Sequence, residues 1–297
     1  MEETAKKKFK KWGDRVDARL VRDIDALTKI MPYMFPNRCD NEAFITEEID
    51  LKNLTEHIKN KSGKLTEYAI FNYIVTAFVK VLTLQPQMNR FIQNKKLYQR
   101  DSLSLSFVVK KHIGDIEEDG LIFLKFDKTA NVDVVGEKIL QEIEKVKDEK
   151  PDIGDKSVKT LSKLPRFVLG FMARIMNFLD VKGLLPRSVA DTDMNYASVF
   201  ISNLGSTKLN SGYHHLTNRG TNSVFVVIGE EKLQAVYDDI GQVEMRKIIP
   251  LGITIDERIA DELYFSRSIN LLKHLLQHPE ELGKPAEVGN YPKNLNG

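Results

Sequence analysis

Three groups of residues in this chain carry side chains able to do chemistry. Ser202 stands near the end of an apolar stretch, in Phe200-Ile201-Ser202-Asn203-Leu204-Gly205. Its hydroxyl either bonds to nearby backbone, as strand-end serines do, or is presented to a reacting group. His214 and His215 follow in Tyr213-His214-His215-Leu216. An imidazole suits proton transfer near neutral pH, whereas the plain reading is a pair of loop histidines bonded to backbone or solvent. Adjacent side chains on a strand point to opposite faces, so one of the two at most would face a site. The third group is Asp256-Glu257-Arg258-Ile259-Ala260-Asp261-Glu262. Glu257 is able to hold a water, an amine or a hydroxyl. Asp261 precedes an amphipathic stretch, where a carboxylate interacts favourably with a helix N-terminus. His57, His112, His274 and His278 read as surface residues. No further ligand stands near the histidine pair at a telling spacing, so no metal is indicated. The single cysteine, Cys39, permits no intramolecular disulfide.

The elements that must position these groups are visible in the hydrophobic pattern. Val16, Leu20, Val21, Ile24, Leu27, Ile30 and Met31 keep helical spacing, which predicts a helix over 14–31 ended by Pro32 and Pro36. A strand follows over 43–49, and Asp50 is placed to cap a helix over 51–58. Residues 66–84 are apolar on most faces and predict a central packed helix stopped by Pro86. Strand-like runs cover 90–93, 103–109 and 121–126, with an acidic turn over 114–120. An amphipathic helix covers 132–149, and 151–156 reads as a loop. Buried strands are expected over 197–201, 223–228 and 248–255, and a closing helix over 263–276. Helices and strands alternate without a regular βαβ rhythm, which predicts an α/β (α+β) domain with a mixed sheet covered by helices.

Two segments stand apart. Lys6, Lys7, Lys8, Lys10 and Lys11 surround Phe9 and lead into Trp12; such an arm is either solvated or a weak contact for an anionic membrane surface. Residues 161–185 hold Leu164, Phe167, Val168, Phe171, Met172, Ile175, Met176, Phe178 and Leu179, with Arg166, Arg174 and Lys182 interspersed. They form either an interfacial helix or lid over a greasy channel, or a helix packed on the domain or on another subunit. The division expected is a basic arm over 1–13, one domain over 14–283 and a loose tail over 284–297. A formal net charge of +2 gives no global field directed at nucleic acid. With no signal peptide and no apolar run long enough to span a bilayer, a cytoplasmic location is expected.

Four stretches together resemble the chloramphenicol acetyltransferase-like superfamily, in particular the catalytic core of the dihydrolipoyl acyltransferases of 2-oxoacid dehydrogenase complexes. They are Leu84-Gln85-Pro86-Gln87-Met88-Asn89, the Ile201-Ser202-Asn203-Leu204-Gly205 motif, Val226-Val227-Ile228-Gly229, and Ile249-Pro250-Leu251-Gly252-Ile253-Thr254-Ile255 running into the Asp256–Asp261 motif. The helix ending in His278-Pro279-Glu280-Glu281-Leu282 also fits. The resemblance covers about residues 20–283 and implies a two-layer sandwich that assembles as a homotrimer, with its site between subunits. It implies coenzyme A as the acyl carrier, Ser202 as the donor to the tetrahedral oxyanion, and Asp261 as a supporting carboxylate. The lipoyl and subunit-binding modules of that family are expected to be missing from this chain.

The motif departs from the family at two positions. Glu257 stands where the family has its catalytic histidine, and Glu262 replaces a glycine. Reference pKa values are about 8.5 for a thiol, 6.5 for histidine and 4.3 for glutamic acid. Proton transfer from thiol to histidine is therefore uphill by about 3 kcal/mol, and to an ordinary glutamate by about 6 kcal/mol. Glu257 needs burial, or His214 or His215 must supply the imidazole. One reading is an acyltransferase with a rearranged base, acting on acyl-CoA and an unknown acceptor. The other is a non-catalytic relative that binds acyl-CoA or serves as an assembly or interaction subunit. A condensation-type domain is a remote third: His214, His215 and Gly220 have its spacing, but Arg219 stands where that motif has an aspartate.

Overall fold

The apolar stretch that reads as a central helix is the centre of the core. In the computed structural model, which describes residues 11–63, 65–113, 116–148, 163–191, 193–237 and 240–286, the elements run in this order. They are β1 (Ala18–Leu20), α1 (Ala26–Met34), β2 (Glu42–Asp50), α2 (Lys52–Ser62), α3 (Glu67–Leu84), β3 (Arg90–Gln93), β4 (Lys96–Arg100), β5 (Leu103–Ile113) and β6 (Ile116–Phe126). Then come α4 (Val132–Asp148), α5 (Arg166–Val181), α6 (Arg187–Ala190), β7 (Val199–Asn203), β8 (Val224–Ile228), β9 (Lys232–Tyr237), β10 (Val243–Asp256) and α7 (Glu262–Gln277).

The large sheet has the order β2-β10-β8-β7-β5-β6, with β9 on the first half of β10. β5–β7 and β7–β8 are parallel, and the other pairs of this sheet are antiparallel. It is the mixed sheet expected. α3 packs against α4 and α7, and these helices with α2 cover one face. Thr66 caps α3 by accepting from the Ala69 N–H, which satisfies one orphan donor of the first turn.

Strand alternation then decides what each side chain meets. Val224, Val226 and Ile228 of β8 and Leu251, Ile253 and Ile255 of β10 point into the helix-covered core. Phe200, Phe225 and Val227 form a second cluster with Leu216 on the outer face. Ser202 and Asp256, in step with Phe200 and Thr254, therefore belong to the outer side.

Several boundaries differ from the sequence reading. Residues 14–25 are not helical: Ala18–Leu20 pairs with Tyr98–Arg100 and the helix starts only after the Asp25 cap. Pro32 lies inside α1 and does not end it. Asp50 is one residue early for the cap position of α2, although its carboxylate still accepts from the Lys52 N–H. The stretch read as an acidic turn is largely ladder, since β5 reaches Ile113 and β6 begins at Ile116. β4 and β9 add two strands, and β10 extends back to Val243. The 151–156 segment, the basic arm before Lys11 and the tail after Ala286 lie outside the described residues.

Candidate active site

Asp256, at the end of β10, is fully buried, and the 3-10 turn Glu257–Ile259 follows it. Arg258 returns to grip it with two parallel bonds, Nε to Oδ1 at 2.8 Å and Nη2 to Oδ2 at 2.7 Å. Arg38 Nε stands 3.5 Å from Oδ2, from the other side. Burial pushes the Arg38 guanidinium below its ordinary value, and the Asp256 charge opposes that shift. Arg38 and Arg258 also donate to backbone carbonyls, Arg38 to Ile92 and Gly220 and Arg258 to Phe35. This carboxylate thus ties α1, β3 and the 217–220 loop to the end of β10. A buried pair of this kind is costly to break because the remaining charge has no solvent.

Glu257 itself is exposed, and its N–H donates to the Asn41 carbonyl at 2.9 Å. It lines a cleft of about 440 Å³ between β2 and α7, together with Ala43, Ile45, Glu47, Glu262 and Phe265. Glu47 is paired with Lys273 at 2.8 Å. The cleft thus holds three carboxylates, of which Glu47 is ion-paired. Asp261 accepts from the Tyr264 N–H at 2.8 Å and is the N-cap of α7.

Ser202 is half-buried at the opposite end of the sheet. It pairs with Val227, which pairs with Gly252. Glu257 lies five residue steps beyond Gly252, roughly 17 Å along the strand direction, with two strand spacings, about 10 Å, across. In one chain the two side chains cannot touch the same reacting atom. A second cleft, of about 500 Å³, adjoins the Ser202 end and is lined by Asn203, Gly205, Gly229, the start of α3, two carboxylates (Glu230 and Glu231) and two lysines (Lys208 and Lys247).

The 209–217 loop joins the two ends across the outer face. It lies flat on the sheet because β8 and β10 carry glycines beneath it: a Cβ at Gly229 would stand 2.2 Å from Ser211 N, and one at Gly252 would stand 2.0 Å from the Gly212 oxygen. Tyr213 hydrogen-bonds Thr46 and its ring contacts Phe44, and Leu216 N–H donates to Glu42. His214 stacks on Phe225 with centroids 4.3 Å apart and planes 7° from parallel. His215 stacks on His214 at 4.6 Å, so the pair does not diverge to opposite faces; the segment is irregular, not a strand. His214 Nδ1 is 2.8 Å from the His215 carbonyl oxygen. A carbonyl only accepts, so in the neutral ring Nδ1 carries the proton and Nε2 carries the basic lone pair. Among the described residues, neither imidazole hydrogen-bonds Ser202 or Glu257 within the chain.

Arg38 was not among the candidates read from sequence, since nothing near it predicts a partner 218 positions later. Asp180 is another: buried at the end of α5, it accepts from Gln93 at 3.1 Å and faces Arg15 at 3.8 Å. His57 and His274 are half-buried, not surface residues as read. The Cys39 thiol is free and exposed, and no helix is long and apolar enough to cross a membrane among the described residues.

Residues 183–283 match the family model described as 2-oxoacid dehydrogenases acyltransferase (catalytic domain). That span contains Ser202, the histidine pair and the whole Asp256–Glu262 motif. Among solved structures, the fold is similar to that of a probable dihydrolipoamide acetyltransferase from Listeria monocytogenes, at 15% identity and a TM-score of 0.54, covering 92% of this chain and 97% of that one. It is also similar to a chloramphenicol acetyltransferase, at 13% identity and a TM-score of 0.55, covering 87% and 99%. A truncated catalytic core of the 2-oxoacid dehydrogenase multienzyme complex from Thermoplasma acidophilum gives 13% identity and a TM-score of 0.50, covering 87% and 98%. No curated protein matches the chain in sequence. The chain has the chloramphenicol acetyltransferase-like fold, and over residues 183–283 it resembles the catalytic domain of the 2-oxoacid dehydrogenase acyltransferases.

Proposed function

We propose that this protein transfers an acyl group between coenzyme A and an acceptor at a site completed by two subunits of a homotrimer. The observation that carries this reading is the placement of Ser202 and Glu257 at opposite ends of the same three strands. Such a pair can serve one reaction only if Ser202 of one subunit meets Glu257 of another. Ser202 would donate to the oxyanion of the tetrahedral intermediate, a role worth about 3 kcal/mol in a water-excluded site.

The proton falls to His214 in this reading. It lies on the Ser202 face of the sheet, and its Nδ1 bond leaves Nε2 as the base. Glu257 is exposed in the single chain, so the dry surroundings a carboxylate base needs would have to come from a neighbouring subunit. Glu257 is then better suited to orient the acceptor in its carboxylate-lined cleft. Acyl-CoA is assigned to the cleft beside Asn203 and Gly205, where Lys208 and Lys247 balance Glu230 and Glu231, in preference to the cleft of three carboxylates around Glu257. When bound, coenzyme A supplies the thioester; the residues of this chain hold it, polarise its carbonyl and accept the proton.

The test is thiol release from a panel of acyl-CoA thioesters, with trimer mass measured in parallel. Turnover by a trimer that Ser202→Ala lowers by about 10²–10³ is expected. Coenzyme A binding without turnover would instead support the second reading, a non-catalytic acyl-CoA-binding or assembly subunit. The exposure of Glu257 and the lack of an imidazole bonded to it are what favour that alternative.

A further inference from the structure

The α5 helix leaves its apolar stripe without a partner among the described residues. Leu164, just before the helix, and Phe167, Phe171, Ile175 and Phe178 recur at helical spacing along roughly 20 Å. Phe167 is 78% exposed, Phe171 62%, Phe178 59% and Ile175 44%. An amphipathic helix of a soluble domain normally turns such a stripe inward. Here the residues facing the domain are the half-buried Val168, Leu169, Met176 and Leu179. A contiguous exposed patch of this composition marks a contact surface.

Charge selects the partner. Lys163, Arg166, Arg174 and Lys182 are exposed along the same segment. Its one acid, Asp180, is buried and engaged with Gln93 and Arg15. The solvent-facing side of α5 therefore carries cations and aromatic rings and no anion. The segment after Trp12 reaches the same end of the helix. Arg15 donates from Nη1 to the Asp180 carbonyl at 2.7 Å, and its Cβ would be 2.9 Å from a Cβ at Gly183. Just before it stand Lys11 and Trp12, the latter 95% exposed, and Lys6, Lys7, Lys8 and Lys10 precede them in the sequence. A twofold contact of α5 with its own copy would set these cations against each other with no exposed acid on the helix to compensate.

We infer that α5 is a docking surface for an anionic phospholipid bilayer, the phenylalanine stripe entering the interface and Lys163, Arg166, Arg174 and Lys182 meeting the headgroups. Basic amphipathic helices with aromatic apolar faces bind in this plane, and the basic side chains add attraction that salt screens. This surface is separate from the acyl-transfer reading and stands or falls without it.

The experiment is vesicle flotation of the full chain, using phosphatidylcholine alone and an equal mixture of phosphatidylcholine and phosphatidylglycerol. The single tryptophan, Trp12, gives a second readout through its fluorescence. The expected result is flotation and a blue shift with the anionic mixture. The bound fraction should fall at least about tenfold with phosphatidylcholine alone, in high salt, and in the triple variant Phe167→Ser/Phe171→Ser/Phe178→Ser. Thermal unfolding of that variant reports whether it folds; Arg166→Glu/Arg174→Glu tests the same surface by charge and should lose binding equally. Absence of flotation on the anionic mixture overturns the inference. So does unchanged binding by both variants. A change in oligomer mass without a change in vesicle binding also overturns it and assigns the stripe to a second copy of the chain.

Discussion

His214 lies flat on Phe225, 4.3 Å between ring centroids and 7° from parallel. Together with the Nδ1 contact to the His215 carbonyl, this stack fixes both the tilt and the tautomer of the imidazole. His215, by contrast, is exposed and rests on His214. His214→Ala should therefore lower acyl transfer by about 10²–10⁴, and His215→Ala by only a few-fold. His214→Phe keeps the stack and loses the proton acceptor, so it should match His214→Ala in rate while keeping wild-type stability. Equal losses for both histidines would reject His214 as the base.

The backbone of the 210–212 segment rests directly on Gly229 and Gly252. A methyl group at Gly252 has no space, since the obstacle is a backbone carbonyl and not a flexible side chain. Gly252→Ala should destabilise the fold by about 1–3 kcal/mol, as overpacking does, seen as a lower urea midpoint. It should also lift His214 from Phe225, visible as a change in the His214 ring proton shifts. Gly283→Ala, at a position with open space around it, serves as the control.

Asp256 sits between two arginines, and the two are not equal partners. Asp256→Ala leaves both guanidinium groups buried without their anion and should cost about 3–5 kcal/mol. Arg258→Met leaves the carboxylate facing Arg38 and should cost less. Chemical denaturation of the two variants gives the ranking; a larger loss for Arg258→Met would contradict the geometry.

Asp261 has a local task. As the α7 cap it should contribute about 1 kcal/mol, lost in Asp261→Ala and recovered in Asp261→Ser. If it acts only as a cap, neither variant changes the rate per folded molecule. A rate loss in Asp261→Ser would restore the supporting role implied by the motif.

Asp17 gives the pH dependence a sign. Burial raises its pKa, but the hydrogen bond and charge of Arg15, with Arg100 behind it, bring it below the ordinary carboxylate value. The stabilisation is therefore complete above a pH of about 4 and is lost as pH falls through the lowered value. Melting temperatures followed down to a pH of about 2 should drop less steeply for Asp17→Asn than for the wild type.

The parts of the fold legible in the sequence are those where burial is one-sided or complete. α3 is apolar on most faces with Thr66 before it, and β8 is an uninterrupted apolar run. β4 escaped notice because Lys96, Gln99 and Arg100 mask it, and because its hairpin turn uses Asn94 and Lys95 at positive φ without a glycine. β9 is exposed along most of its length and shows no alternation. At the site, the motifs revealed Ser202, Glu257 and Asp261 as positions. The buried ion pairs were hidden, because Arg38 meets Asp256 and Arg15 meets Asp180 across long separations in sequence. The two glycines under the 209–217 loop stood inside motifs that gave no hint of what would lie on them.

β10 changes neighbours along its length, running beside β9 from Val243 to Ile248 and beside β8 from Leu251 to Ile255, with β2 on its other edge for the second half. Pro250, which has no N–H to offer, sits at the handover, where its carbonyl accepts from Gly229. Leu251, Ile253 and Ile255 thereby index the strand like teeth in a rack. A slip by one residue would turn Asp256 into the hydrocarbon core and hand Ile255 to the two arginines. The apolar side of the strand thus proofreads the polar side, and a single-residue insertion or deletion after Pro250 would erase the site even if every residue of the motif were retained.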